Sequence, residues 1–257
     1  IFNPSTVDHI SQIRQAVQQG RLDATIKVNA SPVASSQFMV FNWNKASDPF
    51  KQSLFRSDKF RRAMSHLVNR QAVIDIVYGG LGTPMYSSVY PVLTQWINPK
   101  VPKYEYDPKQ AAKLLAELGF TKKDREGYLV DSKGRRIEFN LATNAGNTQR
   151  EQIAKLIVDE AKKVGVKVNF QAIDFNTLVG QLLSSGPDRP FDAIIIGLTG
   201  GGLDWPFGSN VVPCKGNLHM WNKSGQCLDP RETLMEKLYY QGRTELDFKK
   251  RVEIGYR

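Results

Sequence analysis

Hydrophobic and polar residues alternate along the chain with two different periods, which predicts helices and strands in succession. Apolar positions three and four residues apart predict helices at residues 8–19, 58–78, 108–118, 147–164 and 176–183. Alternating apolar positions or short apolar runs predict strands at residues 37–43, 136–143, 166–173 and 191–197. Two strand–helix–strand units follow one another in the second half of the chain, so the pattern indicates an α/β fold.

A glycine-rich turn follows the last predicted strand. The turn, Gly197-Leu-Thr-Gly-Gly-Gly-Leu-Asp-Trp-Pro-Phe-Gly208, has neither the Gly-x-Gly-x-x-Gly spacing nor the closing Lys of a phosphate-binding loop. Ligands of α/β proteins bind at the carboxyl ends of strands, and glycines let a ligand approach the backbone closely. Asp204 offers a carboxylate and Trp205 an aromatic wall, which together suit an amine-bearing ligand. The alternative is an Asx turn before a packed tryptophan.

Composition and charge narrow the class of protein. The chain has 257 residues, 41% of them hydrophobic and 23% charged, so it is long enough for a substantial core and is neither fibrous nor disordered. No apolar run approaches the roughly 20 residues of a membrane-spanning helix. The net charge of +10 admits a nucleic acid as partner, but basic residues stand beside acids, as in Lys122-Lys-Asp-Arg-Glu126. A solvated basic surface is therefore favoured over a nucleic-acid-binding domain.

Cys214 and Cys227 are the only two cysteines and lie close together in a stretch typical of a loop. Their spacing suits a disulfide, which would favour an oxidising compartment. Free thiols are an alternative, as is a metal site with His219, although that site would lack a fourth ligand.

The sequence lacks the common motifs of catalysis. It has no Gly-x-Ser-x-Gly turn, no His-Glu-x-x-His helix and no Cys–His pair in a setting that activates a thiol. We therefore expect neither an enzyme nor a bound cofactor or metal.

Several segments, in order, carry a resemblance to a known family. Phe41-Asn-Trp-Asn44 precedes Lys59-Phe-Arg-Arg-Ala-Met-Ser-His-Leu-Val-Asn-Arg70, and Tyr106-Asp-Pro-Lys-Gln-Ala-Ala-Lys-Leu-Leu-Ala-Glu-Leu-Gly-Phe120 follows. Phe191-Asp-Ala193 stands before the glycine-rich turn. Together they resemble the family 5 solute-binding proteins of ABC importers, which include oligopeptide-, dipeptide- and nickel-binding proteins. Asn69 stands where that family usually has Asp.

The resemblance implies a fold and a domain organisation. In this family two lobes close on a ligand, so we expect a lobe of the type II periplasmic-binding-protein fold, α/β with a mixed sheet flanked by helices. Residues 1–36 would be the tail of the first lobe and the approach to the hinge. Residues 37–257 would be the second, ligand-binding lobe, truncated before the chain returns to the first. We accordingly expect the chain to be one piece of a larger protein.

The resemblance also implies which residues line the cleft. In peptide-binding members, the corresponding loop supplies backbone hydrogen bonds and an acid that pairs with the peptide's α-amino group. Carried over to this chain, ligand contacts fall on Gly197, Leu198, Thr199, Asp204 and Trp205. Leu198 stands where a tryptophan is usual, and the glycines after it form a longer insert. Asn42 and Trp43, at the end of the incoming strand, are further candidates, with hinge packing as the alternative.

The function implied by the resemblance is capture of oligopeptides or dipeptides and their delivery to an ABC permease in the membrane. A member that binds oligosaccharides is an alternative within the family, and a basic nucleic-acid-binding domain is the alternative from another class. We expect a monomer in the periplasm or at the outer face of the cell membrane, either free or lipid-anchored, with no nucleic-acid partner.

Overall fold

The computed structural model describes residues 7–27, 35–199, 205–206 and 208–257. The helices are α1 Val7–Gln18, α2 Pro49–Arg56, α3 Asp58–Leu67, α4 Arg70–Tyr78, α5 Pro108–Glu117, α6 Thr148–Val164, α7 Phe175–Leu183, α8 Pro230–Thr244 and α9 Phe248–Tyr256, with a short 3-10 turn at Thr94–Trp96. The strands are β1 Ser35–Phe41, β2 Lys122–Lys123, β3 Leu129–Val130, β4 Glu138–Asn144, β5 Lys167–Ile173 and β6 Ala193–Thr199. Within those segments no helix combines the length and the hydrophobicity that crossing a membrane requires.

The main sheet has the strand order β1-β6-β4-β5. β4 pairs in parallel with both β5 and β6, whereas β1 pairs with β6 in the antiparallel sense. The predicted α/β fold with a mixed sheet is confirmed. β2 and β3 form a small separate hairpin.

Helices cover both faces of the main sheet, because β6 is apolar on each side. Ala193 and Ile195 belong to a core with α2, α3, α5 and α6, where the rings of Phe41 and Phe139 meet edge-on with centroids 5.3 Å apart. Ile194 belongs to a second core on the other face, together with Leu178 of α7. β6 is thus buried on both faces from Ala193 to Ile196, and its carboxyl end becomes exposed.

The single long helix predicted over residues 58–78 is wrong, since α3 ends at Leu67 and α4 begins at Arg70. The side chain of Asn69 accepts a hydrogen bond from the backbone N–H of Ala72 at 3.0 Å and so caps the start of α4. An asparagine that bonds the backbone in this way favours a helix start over a helix interior. The hydrophobic period continues across the break because both helices pack on the same core.

Short polar side chains cap the amino-terminal ends of α5 and α6. Asp107 accepts from the backbone N–H of Gln110 at 2.9 Å, and Asn147 accepts from that of Arg150 at 3.0 Å. Residues 81–106, which hold four prolines, contain only the short 3-10 turn. The sequence did not predict α2 or α8, both of which begin with a proline in the first turn.

A disulfide joins Cys214 and Cys227, whose Cα atoms lie 5.3 Å apart, so the predicted pairing is confirmed. The loop it closes packs on the start of α8 through Glu232, which is 2% exposed. One Glu232 oxygen accepts from Nε1 of Trp221 at 2.6 Å, and the other accepts from the backbone N–H of Leu228 at 2.6 Å. These hydrogen bonds therefore join the disulfide-closed loop to the start of α8.

Candidate functional site

The carboxyl ends of β4 and β6 lie at one edge of the sheet, and the start of β1 lies beside them. The register of β1 and β6 places Gln37 opposite Gly197 and Ser36 opposite Leu198. Parallel strands direct their carboxyl ends to the same edge, which in open α/β sheets is where ligands bind. Gly197, Leu198 and Thr199, predicted as ligand contacts, are all at this edge.

β6 diverges from β4 as it approaches the edge. The two strands are in register only at Leu141–Ala193 and Ala142–Ile194, although β6 stays paired with β1 as far as Thr199. At the next position a side chain replaces the backbone pairing: the hydroxyl of Thr143 donates to the carbonyl of Ile195 at 2.9 Å. Peptide groups alternate in direction along a strand, so those of Gly197 face the same side as those of Ile195. Among the described residues, no strand pairs with the side of β6 to which the peptide groups of Gly197 point.

A side chain at position 197 would collide with its neighbours. A Cβ there would lie 2.8 Å from Oε1 of Gln37 and 2.8 Å from the carbonyl oxygen of Ser36. Glycine is thus required for the Gln37 side chain to lie over this face of the strand, while no described strand pairs with the side of β6 that β4 has left.

Arg150, in the first turn of α6, extends over the same edge. Its Nε donates to Oε1 of Gln37 at 2.9 Å, and its Nη1 donates to Oδ1 of Asn144 at 2.7 Å. Both partners are neutral amides. Burial lowers the pKa of the Arg150 guanidinium, and the phenol of Tyr78 acts in the opposite direction. Arg150 belongs to no sequence motif; its one signal is a cation in the first turn of a predicted helix, where the helix dipole disfavours positive charge.

Two tyrosines border the edge. The hydroxyl of Tyr90 donates to the carbonyl of Leu198 at 3.4 Å, which ties the irregular segment at residues 81–106 to the end of β6. The hydroxyl of Tyr78 is buried and has no hydrogen-bond partner among the described residues. Burial raises the pKa of Tyr78, and the charge of Arg150 opposes that rise.

Asn42 lies at the opposite edge of the sheet from the residues predicted to act with it. Phe41, one residue earlier, pairs with Ala193, whereas the open edge is at Thr199, so the two positions are about 20 Å apart along the strand. Asn42 is fully buried, its Nδ2 donates to the carbonyl of Phe191 at 2.7 Å, and its Oδ1 accepts from the backbone N–H of Asn44 at 2.9 Å. These contacts agree with the alternative of hinge packing.

Trp43 has a similar environment. It is 7% exposed, its ring meets Trp221 edge-on at a centroid distance of 6.4 Å, and the guanidinium of Arg61 lies 4.7 Å from the ring centroid. The structure therefore does not bring Trp43 together with Gly197, and its contacts agree with the alternative of hinge packing.

Trp205 is half-buried and packs against the last two helices. A Cβ on Gly242 of α8 would lie 1.8 Å from the indole, and one on Gly255 of α9 would lie 3.2 Å from it. The ring of Trp96 is also near, at a centroid distance of 6.3 Å. Asp204, the predicted partner of an amine, lies outside the described residues.

Sequence comparison identifies the family. A profile of the bacterial extracellular solute-binding proteins, family 5 (middle region), matches residues 6–216. The chain belongs to this family. Its members are binding proteins rather than enzymes, in agreement with the missing catalytic motifs.

This family 5 chain is similar in sequence to two proteins of named function, and in each case it matches only part of that protein's length. It is 50% identical to a probable ABC transporter-binding protein of Deinococcus radiodurans, over 99% of this chain and 44% of that protein. It is 34% identical to the oligopeptide-binding protein AppA of Bacillus subtilis, over 62% of this chain and 28% of that protein. The family 5 chain thus spans less than half the length of these relatives.

Two solved structures share the fold and hold different ligands. The Bacillus subtilis AppA structure, in complex with a nonapeptide, superposes with a TM-score of 0.72 at 23% identity, over 94% of this chain and 45% of that one. The MelB structure from Agrobacterium fabrum, in complex with stachyose, superposes with a TM-score of 0.74 at 18% identity, over 97% and 39%. At these identities the similarity concerns the fold.

Proposed function

We propose that this chain forms most of the ligand-binding second lobe of an extracytoplasmic peptide-binding protein that serves an ABC importer. The observation that carries the proposal is the open side of β6 at Gly197, where β4 has diverged. An extended peptide can bond through its own backbone to an exposed strand, and such pairing tolerates many side-chain sequences. Similarity to AppA, an oligopeptide-binding protein, supports the same ligand class.

The ligand contacts we propose extend from this strand into the turn that follows it. Gly197, Leu198 and Thr199 would offer backbone hydrogen bonds, and Asp204 would pair with the peptide's α-amino group. Trp205 would contribute through the rim of its half-buried indole. Asn42 and Trp43 would support the lobe from within rather than contact the ligand, because their side chains are buried.

The lobe would work by closure. Residues 37–257 would form the second lobe and residues 1–36 the end of the first, and a ligand that contacts both lobes would shift the population towards the closed form. The closed complex, a monomer, would then deliver its ligand to the membrane permease. The disulfide between Cys214 and Cys227 supports an extracytoplasmic compartment, where such bonds persist.

An oligosaccharide is the second candidate ligand. The similarity to the stachyose-bound MelB structure supports it, as does the half-buried aromatic ring of Tyr90, whose hydroxyl donates to the carbonyl of Leu198 at this edge. Sugar-binding sites use aromatic faces for the apolar side of the ring and a few polar groups for the hydroxyls.

A nucleic-acid partner has less support. Several basic residues are engaged with acids: Arg136 pairs with Asp124 at 2.5 Å and with Glu126 at 3.0 Å, and Arg231 pairs with Asp229 at 2.8 Å. Charges neutralised in this way contribute little to the counterion release on which nucleic-acid affinity depends.

The test uses the complete gene product, purified without denaturation. Native mass spectrometry should find a co-purified peptide, and calorimetry should show binding of short peptides but not of a matched series of oligosaccharides. Asp204→Ala should weaken a peptide with a free amino terminus more than its N-acetylated form. A retained oligosaccharide, with no affinity for any peptide, would refute the peptide assignment.

A further inference from the structure

Glu236 is a carboxylate that faces the disulfide rather than a cation. Its Oε1 accepts from the backbone N–H of Cys214 at 2.9 Å, and its Oε2 lies 3.6 Å from Sγ of Cys227. The side chain is half-buried, and in the described part of the chain no lysine or arginine forms an ion pair with it. A partly desolvated charge is costly unless an opposite charge compensates it, so this position suits a cation.

The second turn of α8 brings Glu236 to the sulfurs. Glu232 and Glu236 are four residues apart in that helix, so both side chains point towards the disulfide-closed loop. Glu232 is already held by His219 and Trp221, whereas the described polar contacts of Glu236 are those with the two cysteines. The sequence offered only His219 as a further donor near the cysteines, and the fold adds a carboxylate.

The two sulfurs and the carboxylate are close enough to share one ion. Sγ of Cys214, Sγ of Cys227 and a carboxylate oxygen of Glu236 all lie within 4.8 Å of one another. In the disulfide the sulfurs carry no charge, because the thiolate is the form that binds metals. Two thiolates and a carboxylate are donors that zinc accepts, and thiolates favour zinc over magnesium or calcium. Reduction of the disulfide would therefore create a zinc-binding donor set.

The disulfide can be opened by a dithiol from the side of Cys227, which is half-buried, whereas Cys214 is 3% exposed. A thiolate of the dithiol forms a bond to Sγ of Cys227, the bond between the two cysteines breaks, and Cys214 leaves as a thiolate. The second thiol of the dithiol then displaces Sγ of Cys227. Two electrons and two protons pass to the cysteines, and the reductant leaves as its own disulfide. Zinc binding then releases the two thiol protons to the solvent.

We propose that the reduced form of this loop binds a zinc ion through Cys214, Cys227 and Glu236, with water at the fourth position. The ion would hold the loop on α8 when the disulfide is open, so the same two cysteines would close the loop in either redox state. The inference goes beyond the proposed function and is independent of the ligand that the lobe binds.

The experiment uses the complete gene product, reduced with dithiothreitol and separated from it by anaerobic gel filtration in zinc-free buffer. Zinc chloride is titrated in competition with a chromogenic chelator, which gives both the number of bound ions and their Kd. We expect the reduced native protein to bind one more Zn²⁺ per chain than the oxidised protein does. It should also bind one more than the reduced double variant Cys214→Ser, Cys227→Ser, which corrects for zinc bound elsewhere in the gene product. Co²⁺ at the additional site should show thiolate-to-metal charge-transfer absorption.

Glu236→Gln should bind the additional Zn²⁺ at least about tenfold more weakly. Glu236→His supplies another zinc ligand and should retain the ion. The matched control is Glu253→Gln, which removes the same charge from an exposed position of α9 and should bind zinc as the native protein does. Circular dichroism of the oxidised proteins verifies that each variant is folded.

Two results would overturn the zinc site. One is equal zinc binding by the oxidised and the reduced native protein, and the other is a folded Glu236→Gln variant that binds the additional ion as tightly as the native protein. If Glu236→Gln does not fold, the comparison of the reduced native protein with the double cysteine variant decides by itself.

Discussion

Nε2 of His219 lies 2.9 Å from a carboxylate oxygen of Glu232, and both side chains are buried. His219 also points Nδ1 at the carbonyl oxygen of Val211, 2.8 Å away. Through this pair the loop closed by the disulfide is attached to the first turn of α8. The attachment depends on one carboxylate, because Glu232 also accepts from Trp221 and from the backbone N–H of Leu228.

Replacing Glu232 by Gln should lower the free energy of unfolding by about 2–4 kcal/mol near neutral pH. The variant amide cannot accept at all the positions that the carboxylate serves, and its own N–H groups would face donors. Urea denaturation measures the loss. Glu253→Gln, at an exposed position of α9, is the control and should change the stability by less than about 0.5 kcal/mol.

The carboxylate of Glu232 also makes the stability of the fold depend on pH in the acidic range. Burial alone raises the pKa of Glu232, but hydrogen bonds from His219, Leu228 and Trp221 outweigh it and hold the pKa below its ordinary value of 4.5. A carboxylate whose pKa is lower in the folded than in the unfolded protein stabilises the fold at pH values above its unfolded-state pKa. That stabilisation is lost as the pH falls through the folded-state pKa. Stability should therefore decline below about pH 4.5 more steeply in the native protein than in Glu232→Gln. Parallel curves for the two proteins would contradict this role of Glu232.

Gly242 in α8 leaves the space into which the indole of Trp205 fits. In Gly242→Ala the new Cβ would lie 1.8 Å from the ring, so the ring must move. We expect a loss of about 1–3 kcal/mol in the free energy of unfolding, together with a change in tryptophan fluorescence of the folded protein. Both are measured in one urea titration.

Gly180→Ala is the control for this substitution. Gly180 lies within α7, and a Cβ there would meet nothing within 4 Å. Alanine is the better helix former, so this variant should be equally stable or up to about 1 kcal/mol more stable. If both glycine variants gain stability, Trp205 does not depend on the space at Gly242.

Removing the disulfide should destabilise the protein by about 3 kcal/mol, the chain-entropy estimate for a closed loop of this size. Cys214 and Cys227 are 13 residues apart in sequence. The double variant Cys214→Ser, Cys227→Ser is compared with the native protein in oxidising and in reducing buffer by urea denaturation. The variant should match the reduced native protein; a variant as stable as the oxidised protein would show that the bond contributes little.

Much of the fold follows from local sequence signals. Asp107 and Asn147 begin helices because a short polar side chain there can accept from the backbone N–H three residues on. β6 was predictable because a strand buried on both faces has no polar alternation. Asn69 carried the same capping signal as the other two, but the continuous hydrophobic period around it concealed the break between α3 and α4.

The site was less predictable because its contacts join distant parts of the chain. Gln37 and Arg150 are 113 positions apart in sequence, and neither belongs to a motif. Gly197 was identified from its place at a strand end, yet the reason for glycine there, the side chain of Gln37, depends on the pairing of β1 with β6. Asn42 stood at a strand end too, but at the end of an antiparallel strand, which lies at the other edge of the sheet.

Asn42→Ala tests whether that residue supports the fold or contacts the ligand. Without the amide, the buried carbonyl of Phe191 and the backbone N–H of Asn44 lose their partners, and each unsatisfied buried group costs about 1–3 kcal/mol. We therefore expect a loss of about 2–4 kcal/mol in urea denaturation. Ligand affinity of the remaining folded protein, measured by calorimetry, should stay within about twofold of the native value because the open edge is about 20 Å away. A tenfold loss of affinity with full stability would instead place Asn42 among the ligand contacts.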